Sequence, residues 1–349
     1  MAAAPPSSSL TNDFYFACRN GDVEKVQQQL PSMTLAEINE IQSNGSTALH
    51  AATYYGHREI VKLLLKCGAS RSIKNKYKCI PYEETENENI KKLFIRPTPN
   101  RFIGNGTGHI DWMKCDDEAD EVASDYRYRH SGYGWKEKHF SRRLNFIRDG
   151  MSHANLENIQ LLLDRAEKEQ NPEHLITAYT AESDFYKRLN EDLATTHFDQ
   201  GSNFGITYFV DFFYNNPEFA KLSYKGKVYR GMTMTRDDLK QYGKGVKLMN
   251  KAFMSSTKDR KVAEEFAKKV RVDRQTLEGE HVYLSALCTY EIVNNRTGLD
   301  IEQMSEYKHE KEVLIGPYSA FVVVNVKQND PDYVEIELRE CEKKDEEED

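Results

Sequence analysis

Apolar positions along the 349-residue chain change their spacing twice. Between residues 12 and 97 they recur at helical intervals in short bursts punctuated by glycine: Phe16 to Val26 around Gly21, Leu49 to Leu65 around Gly56, and Ile80 to Phe94. From 98 to 150 the pattern fails, opening on Thr98-Pro99-Asn100 and passing Gly104, Gly106 and Gly108. Helical spacing returns with Leu156, Ile159, Leu162, Leu163 and Ala166 on one face, and predicts two more helices over about 172–195 and 211–222. Strand-like runs follow at 227–230, 252–255, 281–287, 312–315, 320–327 and 333–338. Two helices interrupt them, one capped by Thr235 with Asp237 and Asp238 in its first turn, the other running from Val262 to Lys269. Helices first and strands afterwards argue for an α+β domain rather than a doubly wound sheet.

The densest pattern lies at 44–68. Thr47-Ala48-Leu49-His50 is followed by Gly56-His57, then by Ile60, Val61, Leu63, Leu64 and Leu65 before Gly68. The same outline recurs earlier, with Gly21 matching Gly56, and later, with Ile80-Pro81-Tyr82-Glu83 matching Thr47 to His50. This resembles the ankyrin repeat, in three copies over 12–97 with degenerate outer copies. Such units bury their apolar faces only against neighbours, so atypical end repeats act as caps. The resemblance implies an all-α solenoid with a concave surface for a protein partner. A packing accessory without a ligand of its own is the alternative.

Charge modifies this picture by its location. The chain has 48 Lys and Arg against 56 Asp and Glu, a net −8. Residues 116–125 carry six acids and no base; residues 342–349 carry six acids and two lysines. Those segments sum to −10, which leaves +2 for the remainder. The acidity therefore belongs to a linker, 98–150, and a tail, 341–349, and says little against a folded domain at 151–340 that attracts an anion. The net balance does argue against a bulk nucleic-acid binder. Arg127, Arg129, Arg142 and Arg143 interleave with Tyr126, Tyr128, Tyr133 and Trp135. Such a run can hold single strands by stacking, but a segment docking its aromatics onto the next domain is the preferred reading. No apolar run reaches the roughly 18–20 residues of a membrane helix. The start, Met1 to Leu10, has neither the basic nor the apolar part of a secretory signal, so residues 1–11 are expected to be a disordered tail and the protein cytoplasmic. The six cysteines form no CxxC pair and the ten histidines no ligand spacing, so no metal site is expected. Neither G-x-G-x-x-G after a strand nor G-x-x-x-x-G-K-[ST] occurs, which removes the two common nucleotide loops.

Three short elements carry the candidate chemistry. Val228-Tyr229-Arg230-Gly231-Met232 ends one strand. Phe253-Met254-Ser255-Ser256-Thr257 closes another ahead of a helix. Glu310-Lys311-Glu312 precedes the apolar run Val313-Leu314-Ile315. Together they resemble the Arg–Ser–Glu signature of mono-ADP-ribosyltransferases of the cholera-toxin-like and vertebrate ecto-enzyme type. The resemblance extends over roughly 150–340. Tyr179-Thr180-Ala181-Glu182 and Phe185 to Asn190 look like the family's second helix, and Gly298 to Ile301 with Ser305-Glu306-Tyr307 like the approach to its catalytic loop.

The resemblance implies a helical part followed by two small β-sheets around an NAD cleft, with NAD as co-substrate and no metal. Arg230 would bind the pyrophosphate through its planar charged fork. Gly231, without a Cβ, would let the backbone approach the nicotinamide amide. Ser255 would orient the catalytic glutamate. Glu312 would bind the ribose 2′-hydroxyl and stabilise the oxocarbenium-like centre left when nicotinamide departs. On an extended strand Glu310 would face the same way, about 7 Å along, and serve the acceptor. In this family E-x-E goes with arginine acceptors, and a guanidinium, protonated at neutral pH, needs a carboxylate to orient and deprotonate it. Tyr307 is placed on the acceptor-facing loop. Two departures stand out: Ser255-Ser256-Thr257 replaces the usual Ser-Thr-Ser, and Gly316 stands where proline is common. The expected function is transfer of ADP-ribose from NAD to arginine on a protein substrate. The alternatives are an NAD glycohydrolase and a catalytically silent ankyrin scaffold.

Overall fold

The computed structural model describes residues 8–96, 112–114, 140–151, 156, 159–181, 184–195, 204–269 and 283–341. The acidic run at 116–125, the aromatic residues Tyr126 to Trp135, Cys115, Glu182 and residues 342–349 lie outside them.

Thr47 starts the middle repeat. Its hydroxyl oxygen accepts from the His50 N–H while Nδ1 of His50 accepts from the Thr47 N–H at 3.2 Å, a reciprocal cap that begins the helix Ala48–Tyr54. Gly56, at φ +79°, reverses the chain into Arg58–Lys66, which buries Ile60, Val61, Leu64 and Leu65. The preceding repeat is Ser8–Asn20 and Val23–Gln29 about Gly21 (φ +80°). Its first helix begins inside the stretch expected to be a disordered tail. The last repeat is reduced to a 3-10 turn, Pro81–Glu84, and a single helical turn, Glu88–Lys91, continued by a second 3-10 turn, Lys92–Phe94. All three share one core, running from Phe14 through Leu49 and Leu64 to Phe94. Histidines tie neighbours together: His57 Nε2 reaches the Arg19 carbonyl at 2.9 Å, and His50 Nε2 the Cys79 carbonyl at 3.1 Å.

The second unit begins earlier than expected. Phe140–Gly150, inside the anticipated linker, is an amphipathic helix burying Phe140, Leu144 and Ile147, and its Arg143 pairs with Asp211 at 2.6 Å. It packs with Gln160–Glu169, Glu173–Thr180, Asp184–Thr195 and Phe204–Asn215 in one helical layer. The single helix expected over 172–195 is thus two, separated at Ala181, whose backbone is extended. The helix expected over 211–222 stops at Asn215. Pro217 cannot donate to it, and Asn216 caps a separate 3-10 turn, Pro217–Leu222.

Among the described residues ten strands form one ladder: β1 (Trp112–Lys114), β2 (Ser223–Tyr224), β3 (Gly226–Thr235), β4 (Lys247–Asn250), β5 (Met254–Thr257), β6 (Tyr283–Ile292), β7 (Gly298–Asp300), β8 (Glu312–Ile315), β9 (Ala320–Asp330) and β10 (Tyr333–Glu340). Their order is β1-β4-β9-β10-β6-β3-β5-β8-β7-β2, antiparallel except for β10 on β6. The expected pair of sheets appears as the two halves of this ladder. β3 and β6 pair over their full lengths, whereas β3 and β5 share one residue pair, Tyr229 with Thr257. β1, also from the anticipated linker, adds an edge beside β4.

Candidate functional site

The single Tyr229–Thr257 pair marks the point where the two halves of the sheet splay apart, and the candidate residues gather there. Arg230 follows Tyr229 on β3. Thr257 faces Glu312 across β5 and β8, and Ser255 faces Leu314. Residues two apart on a strand share a face, so Ser255, Thr257, Glu312 and Leu314 lie on one side. Leu314 joins the core of the helical layer, while Val313 and Ile315 join the core on the opposite side of the sheet. Ser255 and Glu312 thus share a face, whereas Arg230, two residues from Val228 and from Met232 on β3, lies with them on the side of the opposite core; all three site residues are buried. Arg230 Nη1 donates to the Ser255 carbonyl at 2.6 Å across the splay. Burial pushes the Arg230 guanidinium below its usual pKa, because removal from water disfavours its charge. The other hydroxyls of the Ser255-Ser256-Thr257 run serve structure: Ser256 Oγ donates to the Val313 carbonyl at 2.6 Å, and Thr257 Oγ1 accepts from the Asp259 N–H at 3.0 Å.

Gly231 also has a packing reason. A Cβ there would lie 2.0 Å from the Ala263 carbonyl oxygen and 2.6 Å from the Ala267 nitrogen. Its missing side chain lets the helix Arg260–Lys269 lie directly on β3. Glu310 is corrected. It ends a 3-10 turn, Lys308–Glu310, and Lys311 is left-handed at φ +47°, so the strand begins only at Glu312. The two glutamates do not share a face through a strand pleat. A sharp turn separates them, and Lys311 ties it to Asp259 at 3.0 Å.

The Glu310 carboxylate, almost fully buried, meets Arg96, a residue that sequence reasoning missed. Arg96 Nε donates to Oε1 at 3.0 Å and Nη2 to Oε2 at 3.1 Å, a two-pronged pair. Both Arg96 Nη atoms also reach the Thr180 carbonyl at 3.4 Å. The guanidinium carbon stands 3.8 Å from the centre of the Tyr307 ring, and that of Arg71 stands 5.0 Å from it. Tyr307 thus lies on the loop ahead of Glu310, buried against arginine. Glu306 accepts from Ser70 Oγ (3.0 Å), the Arg71 N–H (2.7 Å) and Ser72 Oγ (2.6 Å), and His309 stacks on Tyr82. Next to this junction is a cavity of ≈ 640 Å³, lined by Ser70, Arg71, Thr177, Glu306 and Tyr307 among others. Arg230, Ser255 and Glu312 do not line it. Among the described residues no group of three or more His, Cys, Asp or Glu could hold a metal, and no helix is long and apolar enough to cross a membrane.

Comparison with known proteins finds matches to both parts of the chain. Residues 14–82 match the ankyrin repeats family, in three copies. Over 53 residues the chain is 47% identical to ankyrin repeat domain-containing protein 29 of Homo sapiens, covering 15% of this chain and 18% of that protein's length. Among solved structures, the Vis toxin, an ADP-ribosyltransferase from Vibrio splendidus, superposes with a TM-score of 0.38 at 18% identity, over 66% of this chain and 87% of that one. The ADP-ribosyltransferase HopU1 of Pseudomonas syringae pv. Tomato DC3000 gives 0.38 at 14% identity, over 65% and 99%. Residues 154–346 match the family described as NAD:arginine ADP-ribosyltransferase. The chain belongs to that family, carries ankyrin repeats ahead of its transferase domain, and uses NAD as co-substrate.

Proposed function

We propose that the protein transfers ADP-ribose from NAD to arginine side chains of protein substrates. The bond between the nicotinamide nitrogen and the ribose breaks, and its electron pair leaves with nicotinamide. Glu312 binds the ribose 2′-hydroxyl and stabilises the positive charge that develops on the ring, with Ser255 orienting it and Arg230 holding the pyrophosphate. A guanidinium nitrogen forms the new bond to the ribose, and Glu310 takes its proton. The ankyrin repeats bind or select a protein partner.

The observation that carries this reading is the grip of Glu310 on a guanidinium. Carboxylate fork, Tyr307 ring and Thr180 carbonyl together form a receptor with the charge and planarity of an arginine head. The same contact also favours a second reading. While Arg96 fills that receptor, water is the available acceptor, and the enzyme is an NAD glycohydrolase.

Labelled NAD with and without agmatine separates them. Glu312→Gln is expected to cut both nicotinamide release and transfer by about 10²–10³-fold, the usual effect of losing one electrostatic stabiliser of a transition state. Glu310→Gln is expected to abolish transfer to agmatine while NAD hydrolysis persists. Equal loss of both activities in Glu310→Gln would refute the division of labour between the two glutamates. Nicotinamide release without any agmatine product in the unmodified enzyme would favour the glycohydrolase.

A further inference from the structure

We propose that Arg96 is an internal competitor for the acceptor site: the ankyrin unit places its own arginine where a substrate arginine would bind. The inference rests on the reading of Glu310 as the acceptor glutamate. Arg96 makes every contact that an acceptor head would be expected to make there. It offers Glu310 a two-pronged pair at 3.0 and 3.1 Å, lays its guanidinium 3.8 Å from the Tyr307 ring centre, and points two nitrogens at the Thr180 carbonyl. Its side chain is fully buried, so no second guanidinium can share the carboxylate while it stays.

Arg96 belongs to the ankyrin side. Ile90 and Phe94, just before it, are buried in the core shared by the repeats. The rest of the acceptor loop is held from the same side: Glu306 by Ser70, Arg71 and Ser72, Tyr307 by Arg71, and His309 by Tyr82. Repeats and loop thus form one clamp, with Arg96 as its plug. An occupant that leaves only a fraction of molecules open lowers the apparent affinity for a competing ligand by that fraction. Arg96 therefore raises the KM for an arginine acceptor without changing the chemistry once the acceptor is bound. A plain structural ion pair would instead affect stability alone.

The test is steady-state transfer to agmatine by the full chain and by Arg96→Ala and Arg96→Lys, with thermal melting of each. Arg96→Ala is expected to lower the agmatine KM by about tenfold, which corresponds to a site about nine-tenths occupied, with kcat at saturating agmatine unchanged. Arg96→Lys keeps a charge for Glu310 but loses the planar fork, so it should fold normally and give an intermediate KM. This variant decides the matter if Arg96→Ala does not fold. An unchanged agmatine KM in folded variants overturns the proposal, as does ADP-ribose found on Arg96 itself, which would make it a substrate. If neither the full chain nor the variants modify agmatine while NAD is still cleaved, the arginine-acceptor reading fails and this inference falls with it.

Discussion

A methyl group on Gly231 would meet two main-chain atoms of the helix Arg260–Lys269, the Ala263 oxygen at 2.0 Å and the Ala267 nitrogen at 2.6 Å. Neither atom belongs to a flexible side chain, so the helix would have to move away from β3. Gly231→Ala is therefore expected to destabilise the protein by about 1–3 kcal/mol, the range for overpacking, as a lower urea midpoint at unchanged slope. NAD cleavage should fall as well, because the displaced strand carries Arg230. An unchanged midpoint would show that the helix can move at no cost. Gly316 is constrained by side chains instead, since a Cβ would lie 2.2 Å from the Tyr214 hydroxyl, which is itself held by the Pro317 carbonyl. The proline common in the family at this place would also remove the N–H that Gly316 donates to the Thr297 carbonyl at 2.9 Å. Both glycines could be picked out of the sequence because they adjoin recognisable motifs. Their reasons could not, because the colliding atoms lie dozens of residues away.

At the scale of elements, strand length or an adjoining motif decided what could be read in advance, since β5 and β8 have four residues each and were anticipated beside their motifs. The strand expected over 312–315 is β8, and the alternating runs behind β6, β9 and β10 were visible too. β1, β2, β4 and β7 have two to four residues each, too few to display a period. The turn before Glu312 was misjudged because E-x-E reads equally well as strand, and only the left-handed Lys311 reveals the turn. The middle repeat was legible down to its cap, and its His50 has a testable titration. The ring is buried, with Nδ1 receiving the Thr47 N–H and Nε2 against the Cys79 carbonyl. That pattern fits the neutral tautomer carrying its proton on Nε2. Burial pushes the His50 pKa down, more than its carbonyl contacts raise it. The unfolded chain then binds the extra proton first, so the stability His50 contributes is full above about pH 6.5 and declines as pH falls below that value. Thermal melts from pH 7.5 to 5.5 should show the loss, and His50→Gln should flatten that part of the slope while lowering the plateau. Parallel slopes for both proteins would mean that His50 does not titrate on unfolding.

On the scale of the whole molecule, the two units meet through two buried carboxylates, Glu306 and Glu310, whose partners in the repeats neither family pattern points to. Ser70 and Glu306 are 236 positions apart, and Arg96 and Glu310 are 214. Ser70-Arg71-Ser72 reads as a repeat loop, and Arg96 reads as another charge after Lys91 and Lys92. Position along the chain places each partner in its own unit, and only the folded contact joins them. Glu306 takes three donors from Ser70, Arg71 and Ser72, and its own N–H goes to Thr180 Oγ1 at 2.9 Å. The double change Ser70→Ala with Ser72→Ala removes two of those donors and leaves a buried charge with the Arg71 N–H. Hydrogen bonds to charged groups contribute about 1.5–3 kcal/mol each, a large share of the stability of an ordinary domain. Calorimetry of the intact chain is expected to show one cooperative transition, and the double variant two, with the ankyrin unit and the transferase domain melting apart. Because the same loop carries Tyr307 and Glu310, the variant should also bind agmatine more tightly, shifting KM the same way as Arg96→Ala. Two transitions with an unchanged KM would separate the docking of the units from the occupancy of the acceptor site. One transition at the original midpoint would show that the Glu306 contacts do not hold the units together.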